Sequence, residues 1–140
     1  MRNALAAVLL LAVWPASAAD VSPGLWEITL ETRVPSDAGF APAPFKLTQC
    51  LTAEDARDPA RVLAGVSNPG ATGCDYTDKS YAGDSFSFSM QCAGGLGIQS
   101  SGRVAFTPDT MDGSITATAN LDGKPVQTEN RVSARRLGGC

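Results

Sequence analysis

Residues 85–92 read Ser-Phe-Ser-Phe-Ser-Met-Gln-Cys, and this alternation constrains the chain more than any other stretch. Phe86, Phe88, Met90 and Cys92 fall on one side, and Ser85, Ser87, Ser89 and Gln91 on the other. A period of two is that of a strand with one buried and one wet face. The upstream partner is Cys74 to Tyr81, joined through Ala82-Gly83-Asp84. With Gly83 at the hairpin tip, Cys74 faces Cys92 and Tyr76 faces Met90. Opposed residues in a non-hydrogen-bonded pair lie about 4.5 Å apart at Cα, a separation that a disulfide spans. Pairing Cys74 with Cys92 leaves Cys50 for Cys140, the last residue, which Gly138-Gly139 would free to reach back.

Four cysteines in a short chain are expected to form two disulfides when the chain is exported. The first residues support export. Arg2 gives a positive start, Ala4 to Trp14 an apolar run, and Ala16-Ser17-Ala18 a small-residue cleavage site. Residues 1–19 therefore read as a signal peptide cut after Ala18 or Ala19, and the apolar run is too short to span about 30 Å of bilayer. Residues 20–140 form one disulfide-bonded domain, large enough for a modest core. A metal site is disfavoured because the cysteines are widely spaced and the chain has no histidine.

The rest of the domain reads mainly as strand. Leu25 to Val34 alternates Trp26, Ile28, Leu30 and Val34 with Glu27, Thr29, Glu31 and Arg33. A Pro/Gly/Ala-rich loop, residues 35–44, precedes a second strand from Phe45 to Leu51. Thr52 with Asp55 approximates a capping box. Pro59 breaks the next segment into two short helical turns, and Asn68-Pro69-Gly70 reads as loop. Further strands are expected over Ile98 to Thr107, Gly113 to Leu121 and Val126 to Leu137. A four-residue loop, Asp122-Gly123-Lys124-Pro125, would pair Leu121 with Val126 and Ile115 with Val132. The expected fold is mainly β: an antiparallel meander of about seven strands, curled toward a half-barrel or small barrel, with one short broken helix after Cys50.

Three motifs carry a family resemblance. With Pro23-Gly24-Leu25-Trp26-Glu27, Gln49-Cys50-Leu51-Thr52-Ala53-Glu54-Asp55 and Arg136-Leu137-Gly138-Gly139-Cys140, the chain resembles bacterial exported proteins grouped as a domain of unknown function. That grouping is marked by a starting GLWE and an ending RLGxC, and the likeness covers nearly the whole mature chain with all four cysteines. It implies export, disulfides and a β-rich fold, and supplies no catalytic residue. Gly24-Leu25-Trp26 is also similar to the G-x-W opening of lipocalin-type barrels, in which an arginine of the last strand packs over the tryptophan. Arg136 is the corresponding residue here. The plainer alternative makes Trp26 simply a large core residue.

Composition narrows the function. Outside the leader, ten basic residues stand against fourteen acidic ones without a basic cluster, which argues against nucleic acid as a partner. Without histidine, no Ser-His-Asp or Cys-His arrangement can be assembled. Glu27 and Glu31 share a strand face about 13 Å apart, wider than the roughly 5–9.5 Å of a glycosidase pair. Asp109 to Gly113 lacks the spaced acids of a calcium loop, and Gly94-Gly95-Leu96-Gly97 precedes a strand rather than a phosphate-binding helix.

No catalytic residue, cofactor or metal is therefore expected. The inward mixture of Trp26, Ile28, Thr32, Ile115, Thr128, Asn130 and Arg136 would suit a pocket with a few orienting polar groups. The expected function is that of a periplasmic or secreted, non-enzymatic module binding a small apolar or amphipathic ligand. The alternative is a structural or interaction protein of the envelope, chaperone-like or inhibitory, with a hydrolase a distant third.

Overall fold

The computed structural model describes residues 21–66 and 73–140. The expected leader and the Asn68-Pro69-Gly70 loop lie outside the described residues. Seven strands form one antiparallel sheet: β1 (Gly24–Arg33), β2 (Phe45–Leu51), β3 (Cys74–Ala82), β4 (Ser85–Cys92), β5 (Gln99–Phe106), β6 (Thr110–Leu121) and β7 (Lys124–Gly138). Helices α1 (Ala53–Arg57) and α2 (Ala60–Val66) come after β2. The order across the sheet is β2-β1-β7-β6-β5-β4-β3, so the last strand pairs with the first. The sheet stays open, with β2 and β3 as its edges, so of the two forms expected, a curled open sheet or a small barrel, the chain takes the open one.

The link from β2 to β3 must pass from one edge to the other. In a flat sheet that is six strand spacings, about 29 Å. The helical segment makes this crossing on the core face. Thr52 caps α1: its hydroxyl accepts from the Asp55 amide at 3.2 Å, and the Asp55 carboxylate accepts from the Thr52 amide at 3.1 Å. Pro59 separates the helices, as its ring requires, and its carbonyl accepts the amides of Val62 and Leu63. Ala60, Val62 and Leu63 join one hydrophobic cluster with Trp26, Ile28 and Leu30 of β1, Phe86, Phe88 and Met90 of β4, and Val104, Ile115 and Val132. Each large side chain so buried contributes roughly 1.5–3 kcal/mol.

Two tyrosines pin the crossing segment to the edge strand. Tyr76 Oη donates to the Ala60 carbonyl at 2.6 Å. Tyr81 Oη donates to Asp58 Oδ1 at 2.6 Å and accepts the Ala60 amide at 3.2 Å. Residues five apart on a regular strand face opposite ways. A bulge between Tyr76 and Asp78 inserts the extra residue that turns both tyrosines inward, against Phe86 and Phe88.

That bulge also corrects the hairpin. Cys74 faces Cys92 and Tyr76 faces Met90 as the sequence implies, but the loop is the two-residue Gly83-Asp84 and Tyr81 faces Phe86. Only Gly83 of the pair has a positive φ, 62°, as a type II′ turn needs at its first position. The β6–β7 register differs too. Leu121 pairs with Lys124 and Ile115 with Asn130, not with Val126 and Val132. Asp122 and Gly123 both take positive φ, 52° and 76°, the type I′ geometry that suits strand twist. The shift of two residues leaves the same side chains on the core face.

Both cysteine pairs are bonded: Cys50 to Cys140 and Cys74 to Cys92. Two disulfides indicate an oxidising compartment outside the cytoplasm. Among the described residues, no helix is long and apolar enough to cross a membrane. Removing the first disulfide with Cys50→Ser and Cys140→Ser is expected to lower unfolding free energy by about 4–5 kcal/mol, since the bond closes a long loop. Urea denaturation reads this, and a loss below about 1 kcal/mol contradicts a stabilising role for that bond.

A second expectation concerns alkaline pH. Burial, reinforced by Asp58, raises both phenols well above their usual value. Tyr76 and Tyr81 are the chain's two tyrosines, so phenolate absorbance reports them alone. The folded protein should show little phenolate at about pH 10, where free tyrosine is half ionised. Because the folded values are raised, their stabilisation is present below that pH and fades as pH rises beyond it. Ordinary titration of both phenols in the folded state would refute the pinning.

Candidate functional site

The seven residues expected to line a pocket divide among three settings. Trp26, Ile28 and Ile115 are at most 1% exposed and belong to the core cluster. The Trp26 indole donates to the Ser22 carbonyl at 3.0 Å. Thr32, Thr128 and Asn130 meet around the buried Asn130 amide. Its oxygen accepts from Thr32 Oγ1 at 2.8 Å, and its nitrogen donates to Thr128 Oγ1 at 3.2 Å and the Ile115 carbonyl at 3.4 Å. The polar groups read as ligand-orienting thus satisfy one another. Arg136 pairs in register with Trp26 and donates from Nε to the Pro23 carbonyl at 2.9 Å.

Arg136 belongs to a corner where both chain-end motifs meet. Trp26 faces Arg136 and Glu27 faces Arg135, whose Nε lies 3.2 Å from the Glu27 carboxylate. Cys50 lies opposite Leu25 on the other flank of β1 and bonds to Cys140. Gly24 makes the corner possible. Its φ is +148°, and an added Cβ would stand 2.4 Å from the Gly138 carbonyl and 2.6 Å from Arg136 Nε. The corner is built for closure.

The open space lies on the outer face. A groove of 590 Å³ is lined by Glu31, Arg33, Arg103, Ala105, Asp112, Ser114, Glu129, Asn130 and Arg131. A pocket of 570 Å³ lies under the β1–β2 loop, walled by Val34, Pro35, Phe40, Pro42 and Pro44 and touched by Thr32. Glu31, Arg33 and Glu129 border both, so the two adjoin as neighbouring parts of one outer-face cleft: the loop end carries Phe40, alanines and prolines together with Asp37, and the sheet end carries three arginines against the acids Glu31, Asp112 and Glu129. The loop leaves Phe40 51% exposed.

Cross-strand register orders the sheet end. Glu31 faces Arg131, which faces Ser114, which faces Arg103. Arg33 faces Glu129 in the next row. Arg131 is tied to Asp112 at 3.0 Å, and Asp112 raises its pKa through that hydrogen bond. Arg103 instead donates from Nη2 to the buried Ser85 hydroxyl at 3.0 Å. Among the described residues Arg33 makes no ion pair.

Further hydroxyls continue the face. Ser80, Ser87, Ser89, Ser101 and Thr116 line an adjoining shallow groove. Sequence reasoning passes over Arg33, Phe40, Arg103 and Glu129 because it seeks the site on the apolar side of each strand. The signal for them is the run of outward serines around Arg103 on three neighbouring strands.

Comparison with known proteins adds one finding. The family model described as "Protein of unknown function (DUF3617)" matches residues 21–140, which include all four cysteines, the corner and the cleft. No curated protein and no solved structure matches.

The corner gives a stability test. Gly24→Ala is expected to cost about 2–3 kcal/mol through its clash and backbone strain, whereas Gly95→Ala, with open space around it, should stay within about 0.5 kcal/mol. Equal stabilities in urea would contradict the packing described.

Proposed function

The chain belongs to the DUF3617 family, and from that premise we propose that it is a non-enzymatic binding module of the periplasm or extracellular space, taking a small amphipathic ligand. One observation carries the reading: on the outer face, a pocket walled by Phe40 and prolines adjoins a groove lined by three arginines and three acids. Ligand sites combine apolar walls with a few polar groups that set orientation, and this cleft has both within one opening. The sequence has no histidine, the side chain that most often serves as general acid or base. Disulfides and the leader-like start support the compartment.

A second reading, an interaction protein of the envelope, draws on the open edges β2 and β3, since unpaired edge strands can accept another chain. Asp75, Asp78 and Lys79 blunt β3 with charge, whereas β2 carries only Lys46. Reproducible crosslinks from β2 would support this second reading.

Native mass spectrometry of freshly purified protein tests the first, together with titration of a fluorescent hydrophobic probe. The expected result is a bound small mass or saturable probe binding, made roughly fivefold weaker by Phe40→Ala through lost apolar contact. An empty protein that binds no probe, or binding indifferent to Phe40→Ala, contradicts the cleft.

A further inference from the structure

We propose that Arg103 is the anion-binding anchor of this cleft, so that the ligand is an amphiphile with a carboxylate or phosphate head group. The inference rests on the amphipathic-ligand reading and adds the charge of the head group.

Arg103 differs from the other arginines of the outer face. Across the sheet it faces Ser87 on β4 and Ser114 on β6, and along its own strand it is flanked by Ser101 and Ala105. None of these four carries charge. Arg131 and Arg135 are bonded to Asp112 and Glu27, and Arg33 faces Glu129. Among the described residues, Arg103 makes no ion pair, and its immediate cross-strand and same-strand neighbours are uncharged, with Asp78 the acid across the adjoining groove. The acid diagonal to it, Asp112, is already engaged by Arg131.

Its orientation is fixed as well. Ser85 is 5% exposed, and its hydroxyl donates to the Ala82 carbonyl at 3.1 Å while accepting from Arg103 Nη2 at 3.0 Å. A guanidinium carries five donors in a rigid fork that matches carboxylate and phosphate. Holding one donor on a buried hydroxyl orders the fork before a ligand arrives, which reduces the ordering cost of binding. Hydroxyls on both adjacent strands, about 4.8 Å away on each side, can add donors to the same oxyanion.

The cleft sets the rest of the ligand. From β5 to β1 is three strand spacings, about 14 Å, and beyond β1 lies the pocket with Phe40, Pro42 and Val34. An anionic head at Arg103 places an apolar tail of that length under the loop. The aliphatic stems of intervening arginines can lie against such a tail.

Calorimetry on the oxidised, folded protein tests this with dodecanoate and dodecyl phosphate below their micellar concentrations and dodecanol below its solubility limit. The expected result is that at least one anion binds about tenfold more tightly than dodecanol, with the preferred anion identifying the head group. Arg103→Gln should remove that advantage, bringing the anion's affinity down to that of dodecanol for the same variant, and Arg103→Lys should restore part of it. Circular dichroism and a thiol count confirm that each variant is folded and oxidised. Equal affinity for anions and dodecanol, or an Arg103→Gln protein that keeps the preference, overturns the anchor while leaving the cleft standing. If none of the three binds, the cleft reading fails and the anchor with it.

Discussion

β1 is held on both flanks, by β2 on one side and by the last strand, β7, on the other, and the remaining architecture depends on that placement. It puts Trp26, Ile28 and Leu30 at the centre of the core. It also brings the two ends of the domain together, where Gly24 permits the approach of Gly138 and Arg136. Pairing strands so distant in sequence carries a loop-closure cost. The Cys50–Cys140 bond reduces it by tying β2 to the residues just after β7.

Once β1 and β7 are joined, β2 and β3 must lie at opposite edges, and the segment between them has to cross one face. That face becomes the core. Tyr76, Tyr81 and the helical turns close over Phe86 and Phe88, and Asn130 turns inward polar groups upon each other. Val104 opposite Gly113 and Ile115 opposite Gly102 let adjacent strands pack large against small. The opposite face holds hydroxyls and charges and stays open to solvent.

The sequence displays this division unevenly. SFSFSMQC is legible to the residue because each alternate position is unmistakably apolar or polar, and it places Cys74 opposite Cys92. Cys74 and Tyr76 keep their expected partners despite a different turn, because the bulge near Thr77 compensates for the two-residue loop. No composition rule marks such a bulge. The β6–β7 turn is hard to place since Lys124 and Pro125 look like loop residues, although an edge-like strand start tolerates both. The cleft is hidden for another reason. Arg33 and Arg103 are far apart in sequence and meet only through four strands of register, while Phe40 sits in a loop whose composition reads as a linker. Family membership extends over the same residues, 21–140, and adds no chemistry.

The core face is thus structural, and the outer face is the one proposed for recognition. Amide chemical-shift mapping during titration with dodecanoate separates the two faces. The perturbed amides should cluster around Arg33, Phe40, Arg103 and Glu129, while the Trp26 indole signal keeps its position. Perturbations centred on Trp26, Ile28 and Ile115 would place the ligand inside the core and contradict this division.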